Sequence, residues 1–378
     1  MQLQLPEPSA DALAVSRALQ VAIAGEIERH GGWISFTRYM ELVLYAPALG
    51  YYSGGAAKLG KDGDFTTAPE ITPLFGATLT HVMADLMAQT GPNVMEFGAG
   101  SGKLAFDILS ELASMGVTVD SYAIVDLSGE LRARQQETLK DFPQVKWLDQ
   151  IPASFSGVVV GNEVLDAMPV NLLVKTESGW LERGVTFADG QFAWSDRPCE
   201  PSLAGQIPEA ESLPLGYVTE VHPVAAGFMR SLGASFGNAA AILLDYGFPA
   251  HEYYHPQRMQ GTLMCHYRHH SHPDPFYLPG LQDITAHVDF TAMARAAIDG
   301  GLDMLGYTSQ AAFLIDAGIG DMLLRTPPDD AMRYLPQANA MQKLISPAEM
   351  GELFKVLVVG KGVALPPNFA RNDRSHRL

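Results

Sequence analysis

The chain has 378 residues, 47% hydrophobic and 18% charged, a globular balance and not a disordered one. Its 42 Asp and Glu outnumber its 25 Lys and Arg, and the resulting charge of −17 excludes nonspecific nucleic-acid binding and a polybasic membrane anchor while favouring cationic partners. Two cysteines, Cys199 and Cys265, exclude a disulfide framework and point to a reducing compartment.

Met1 to Pro8 has no basic flank, no long apolar run and no Arg enrichment, so neither a secretory signal nor a mitochondrial presequence is expected there. No run reaches the ~18 apolar residues of a spanning helix. Ser9 can cap a helix bearing Leu13, Leu19, Ile23 and Ile27, which stops at Gly31-Gly32. Ser35 can cap a second, with Phe36, Tyr39, Met40, Val43 and Leu44 on one side. Residues 50 to 71 are dense in Gly, Thr, Asp and Pro and read as a loop. Thr72-Pro73 opens a third helix striped by Phe75, Leu79, Val82, Leu86 and Met87.

From Asn93 the pattern becomes strand and helix in alternation. Strands are expected at Asn93 to Phe97, Tyr122 to Asp126, Val145 to Leu148, Val158 to Gly161 and Ala240 to Asp245, the last two almost wholly apolar. Helices fall between them, so the unit is α/β with a mainly parallel sheet. Leu172 to Lys175, Trp180 to Phe187 and Gln191 to Trp194 read as an inserted meander with Asp189-Gly190 as a hairpin turn. Residues 196 to 214 read as loop, and the His-, Pro- and Tyr-rich stretch after the fifth strand as irregular. A helix over about Phe290 to Ile298, a strand at Leu302 to Gly306, helices through much of 309 to 351 and a strand at Phe354 to Val359 follow. The polar tail from Pro366 is expected to fray.

The loop Glu96-Phe97-Gly98-Ala99-Gly100-Ser101-Gly102 joins the first strand to a helix. Three cofactor classes use such loops. A dinucleotide fingerprint needs glycine where Lys103 stands. A P-loop needs glycine at Phe97 and Ser or Thr at Leu104. The E-x-G-x-G-x-G pattern of S-adenosylmethionine sites fits Glu96, Gly98, Gly100 and Gly102. Asp126 ends the second strand, placed to hold ribose hydroxyls as in other doubly wound folds. A tight turn without a ligand is the bland alternative. The fourth strand runs into Asn162-Glu163, with Asp166 just beyond, where an acid can orient a nucleophile; helix capping by Asn162 or Asp166 competes with that reading.

Five stretches together closely resemble the MidA family of S-adenosylmethionine-dependent methyltransferases, in order and over roughly residues 10 to 362. They are Gly63-Asp64-Phe65-Thr66-Thr67-Ala68-Pro69-Glu70-Ile71; Asn162-Glu163 with Asp166-Ala167-Met168-Pro169-Val170; Leu244-Asp245-Tyr246-Gly247; the run from Gln282 through His287 and Asp289 to Phe290; and Gly306-Tyr307-Thr308-Ser309-Gln310. Gly161, where relatives often have Ala, Ala99, where many have Pro, and the Cys265-His266 step depart from the pattern. The resemblance implies a class I methyltransferase fold, Rossmann-like with a seven-stranded mainly parallel sheet. It implies S-adenosyl-L-methionine as cofactor and an arginine-bearing protein as substrate, a respiratory complex I subunit being the known target of the mitochondrial relative. A cytoplasmic place is expected if the source is bacterial, the mitochondrial matrix if eukaryotic. Neither nucleic acid nor membrane is an expected partner.

On this reading residues 1–90 form a helical arm with the signature loop. The core is 91–170, 236–308 and 352–362, 171–235 is a β-rich insertion, 309–351 a helical insertion and 363–378 a tail. A guanidinium, with a pKa above ~12, arrives charged and is a poor nucleophile, so carboxylates must clamp it and take its proton late. Glu163 is the first candidate, with Asp166 or Glu70 as second partner, and His287 to orient the arginine or an acid. Asp289 reads more readily as a helix cap. The 63–70 loop, through Asp64, Thr66, Pro69 and Glu70, is expected to fold over the cofactor, or else to be ordered by its own turns. Asp245 either contacts substrate or closes the sheet edge. His266, His269, His270 and His272 read as a polar surface or partner-contact loop, and no metal is expected. A small-molecule methyltransferase and an assembly chaperone that binds the cofactor but barely catalyses are the competing functions.

Overall fold

A computed structural model describes residues 5–54, 66–126 and 128–378. The chain forms two compact units, one of Thr66–Val164, Gly227–Pro249 and Met293–Leu378, the other of Leu165–Ala226, Ala250–Ala292 and the described residues up to 54.

The first unit is built on seven strands: β1 (Asn93–Phe97), β2 (Ser121–Val125), β3 (Val145–Leu148), β4 (Phe155–Asn162), β5 (Phe236–Phe248), β6 (Asp303–Ser309) and β7 (Phe354–Lys361). Their order is β6-β7-β5-β4-β1-β2-β3. The pairs β1–β2, β2–β3, β1–β4 and β4–β5 are parallel, and β7 alone runs against both of its neighbours. This is the α/β, Rossmann-like sheet expected. Val158, Val159 and Val160 of β4 and Ala240 to Leu244 of β5 are almost wholly excluded from solvent, as central strands covered on both faces must be. Helices Pro73–Thr90 and Lys103–Ser114 pack closely on one another. A Cβ at Gly76 would lie 2.6 Å from that of Asp107, so only glycine permits this approach. Phe313, Leu314, Ile319, Met322, Leu323 and Leu344, from the helices after β6, join the same core.

The expectation of a frayed tail is corrected. Strand β6 lies at the sheet edge, and its free backbone groups are taken up by the tail. Tyr307 N–H donates to Asp373 Oδ1 at 3.0 Å, Arg374 N–H to Tyr307 O at 2.7 Å, and Thr308 Oγ1 to Asn372 O at 2.7 Å. Phe369 is buried beneath.

The second unit has its own core. Helices Ala10–Arg29 and Phe36–Tyr45 are capped by Ser9 and Ser35, as the sequence indicates, and bury Leu19, Ile23, Ile27, Phe36, Tyr39 and Met40. Strands Asn171–Thr176, Gly179–Ala188 and Gln191–Pro198 form the meander, extended by Ile34–Ser35 and Val218–Val221. Its hairpin turns at Asp189 (φ 52°) and Gly190 (φ 78°), the left-handed pair that tight hairpins need.

The stretch expected to be irregular contains a three-stranded antiparallel sheet, with Met264–Tyr267 between His270–His272 and Asp283–Thr285. The histidines thus do not share one loop: His266 and His272 sit on paired strands, and Arg268 and His269 form the tip, both at positive φ. Among the described residues no group of three or more His, Cys, Asp or Glu is arranged to hold a metal ion, and no helix is long and apolar enough to cross a membrane.

Candidate active site

The order of the parallel strands reverses between β1 and β4, because the chain runs outward through β2 and β3 before returning to β4. In open α/β sheets the crevice at the carboxyl ends of two such strands is the ligand-binding place. Phe97 stands in register with Gly161 of β4 on one side and Val125 of β2 on the other. The glycine loop, Asp126 and Asn162-Glu163 therefore leave the sheet side by side.

The glycine loop is held from three directions. Gly98 (φ 62°), Gly100 (φ 52°) and Gly102 (φ 84°) all occupy left-handed backbone, which glycine adopts without steric cost. Gly98 N–H donates to Val125 O at 3.2 Å. Thr138 Oγ1 donates to Ser101 O at 2.8 Å. Ser101 Oγ donates to Glu70 Oε1, which ties the end of the signature segment to the loop.

Two acids line this end of the sheet. Glu96, on β1, is 1% exposed. Burial pushes its pKa up to about 8, despite a 2.5 Å hydrogen bond from Tyr122 Oη, and the nearby charge of Asp126 adds to the rise. Asp126 is buried, and its Oδ1 accepts from Ser128 N–H at 2.8 Å and its Oδ2 from Gln135 Nε2 at 2.7 Å.

At the end of β4 the backbone is strained. Glu163 has φ 54°, a left-handed conformation rare for a side chain of this kind. The end of β5 holds it there: Glu163 N–H donates to Leu244 O at 2.8 Å, and Val164 N–H to Asp245 Oδ2 at 3.1 Å. Asp245, 1% exposed, also accepts from Tyr246 N–H at 2.9 Å. Asn162 Nδ2 donates to Glu163 Oε1 at 3.0 Å, which orients the carboxylate. Asn162 Oδ1 is buried and has no hydrogen-bond partner among the described residues.

Asp166 and His287 belong to the second unit. Ala286 N–H donates to Asp166 O at 3.0 Å, so these two segments adjoin. His287 N–H donates to Thr262 Oγ1 at 3.1 Å. Thr262 in turn donates to Glu220 Oε2 at 3.1 Å, and Glu220, fully buried, also accepts from Tyr253 Oη and the N–H groups of Thr262 and Leu263. Tyr52 Oη meets both oxygens of Asp283 at 3.0 Å. Asp289 accepts from Ala292 N–H at 3.1 Å, the capping role that its position suggests.

Within the first unit the structure brings together Glu70, Glu96, Gly98, Gly100, Gly102, Asp126, Asn162 and Glu163. Thr66 is exposed there, and Pro69 is buried in the short helix Ala68–Ile71. Asp64 lies outside the described residues. Sequence reasoning missed Gln135, Asp245 as the holder of the Glu163 turn, and the buried Glu220 cluster. Asp245 stood out only as an acid at a strand end, and for Gln135 there was a signal in the spacing. Leu131, Gln135 and Leu139 are spaced by four, and all three are buried, so a polar residue occupies the middle of an apolar helical stripe.

Comparison with known proteins agrees with this geometry. Residues 74–308 match the family model described as "Putative S-adenosyl-L-methionine-dependent methyltransferase". A crystal structure from Burkholderia thailandensis, bound to S-adenosyl-homocysteine, is 56% identical, with a TM-score of 0.95 over 99% of this chain and 100% of that one. A native crystal structure from the same organism is 55% identical, with a TM-score of 0.92 over the same shares. The mitochondrial protein arginine methyltransferase NDUFAF7 of Bos taurus is 31% identical over 92% of this chain and 83% of its own.

Proposed function

The chain belongs to the MidA family of S-adenosyl-L-methionine-dependent methyltransferases, and from that premise we propose that it methylates an arginine of a protein substrate. The observation that carries the acceptor is the similarity to relatives named protein arginine methyltransferases, at 31% identity over most of the chain. A respiratory complex I subunit is the target that the family resemblance suggests.

The cofactor is S-adenosyl-L-methionine, which supplies a methyl group on a sulfonium. The residues present fit it. The left-handed glycine turn allows close backbone approach, Asp126 offers a carboxylate for ribose hydroxyls, and the unpartnered Asn162 Oδ1 calls for a donor of the kind the cofactor's ammonium provides. In this reading Glu70, Glu96, Gly98, Gly100, Gly102, Asp126 and Asn162 form the cofactor side, with Thr66 and Pro69 of the signature segment beside them.

Methyl transfer by in-line displacement needs mainly proximity and orientation, which can contribute ~7–11 kcal/mol. Glu163 would clamp the acceptor guanidinium by a charge-assisted pair, aim one nitrogen and take its proton late, once the new N–CH3 bond has replaced the S–CH3 bond of the methyl donor. Its strained turn and the Asn162 hydrogen bond fix that aim in advance. The roles of Asp166 as second acid and of His287 as the orienting group rest on the family resemblance alone.

Incubation with methyl-labelled S-adenosyl-L-methionine and a host lysate, followed by peptide mass spectrometry, tests the acceptor. Label on arginine side chains of one or a few proteins is expected. Label confined to small molecules would contradict it.

A further inference from the structure

We infer that Gln135 is a positioning residue for the cofactor, locking the acid Asp126 to the glycine loop. The inference rests on the reading of Asp126 as the ribose acid. Gln135, on the helix Gly129–Thr138, is fully buried, yet every polar atom of its amide is used. Its Nε2 donates to Asp126 Oδ2 at 2.7 Å and to Gly100 O at 3.1 Å. Its Oε1 accepts from Trp147 Nε1 at 3.0 Å.

The third bond makes the other two obligatory. An indole N–H can only donate, so Trp147 forces the oxygen of the amide toward itself. Both N–H groups then face Asp126 and the glycine loop, and the amide cannot flip without leaving Asp126 Oδ2, Gly100 O and Trp147 Nε1 without the partners they have here. One side chain thus spans the two loops that the ribose and the methionyl part of the cofactor require, one after β2 and one after β1. Gly102 is part of the fit, since a Cβ there would lie 3.3 Å from the Gln135 Cα. Among the described residues, charged groups near Asp126 include Glu96, which ionises above about pH 8 in wild type and variant alike and so cancels in the comparison at each pH, and Arg132, whose guanidinium reaches Asp126 O at 3.4 Å and Asp149 at 2.8 Å.

Replacing the amide by an acid separates positioning from packing. In Gln135→Glu, two carboxyl groups at hydrogen-bond distance share a proton at low pH and repel each other at high pH. S-adenosyl-homocysteine binding by calorimetry, expressed relative to the wild-type protein at each pH, is the readout. Gln135→Glu is expected to bind within threefold of wild type at pH 6 and more than tenfold more weakly at pH 8.5, with an unchanged fold by circular dichroism. Gln135→Met should lose more than tenfold at both pH values. Should it not fold, Trp147→Phe, which frees the amide to flip, should lose about fivefold. A Gln135→Glu protein with the same relative affinity at both pH values would overturn the inference. Asp126→Asn separates the two readings: wild-type affinity there removes the ribose assignment and this inference with it, whereas lost affinity there with a pH-independent Gln135→Glu removes only the role of Gln135.

Discussion

After β1 the chain turns through Gly98, Gly100 and Gly102, all left-handed. After the neighbouring β4 it turns through Glu163, left-handed too, at φ 54°. The two turns leave adjacent strand ends and meet the same backbone demand with opposite residue choices. Glycine satisfies it at no steric cost, and its lack of a side chain lets a ligand approach the backbone. A glutamate there costs ~1–2 kcal/mol and must be held by something else. Leu244 O and Asp245 supply that hold through the two N–H groups of the turn. Strain of this kind persists where a side chain must point in one direction. Under the proposed function the first turn serves binding and the second serves chemistry.

The hold on the second turn is the first place to break the contrast. Asp245→Ala leaves the half-buried N–H groups of Val164 and Tyr246 without their acceptor. It should lower unfolding free energy by ~2 kcal/mol in denaturant titration. The same change should leave S-adenosyl-homocysteine affinity nearly intact, because the glycine turn does not depend on it. Glu163→Gly should act in the opposite direction on stability, raising it by ~1 kcal/mol as the strain is relieved, while methyl transfer is lost. A destabilised Glu163→Gly protein would mean that the turn is not strained.

A third effect depends on pH and concerns Glu96, beside the first turn. Its folded pKa of about 8 lies above the unfolded value near 4.5. Below pH 4.5 both states are protonated and nothing is lost. As pH rises from 4.5 to 8 the unfolded state ionises while the folded state stays neutral, so stability falls, and the loss is complete above 8. Glu96→Gln cannot ionise and can still accept from Tyr122. Its melting temperature should match wild type near pH 4.5 and exceed it by several degrees at pH 8. A difference that does not change with pH would contradict the burial of a neutral Glu96.

What the sequence revealed follows the same line. The glycine turn is a local signal: apolar strand, glycines, helix. The fold of the sheet unit was legible because its central strands are continuous apolar runs. Glu163 was legible as an acid after such a run, but its strain was not, because φ depends on β5, some eighty residues away in the chain. Asp245 stayed ambiguous for the same reason, since only the β4–β5 register brings it to Val164. The sheet of Met264–Tyr267, His270–His272 and Asp283–Thr285 was hidden by short strands whose His and Tyr residues blur the alternation. The tail reads as frayed by composition, and its order comes from the open edge of β6, which local pattern does not contain.

Glu163→Gln tests the central claim most directly, because it keeps the size and the hydrogen-bonding reach of the side chain and removes only its charge. S-adenosyl-homocysteine affinity by calorimetry and labelled methyl transfer into protein would be measured on the same preparation. The account predicts affinity within threefold of wild type and transfer reduced by ~100-fold or more. Full transfer with unchanged affinity would contradict it.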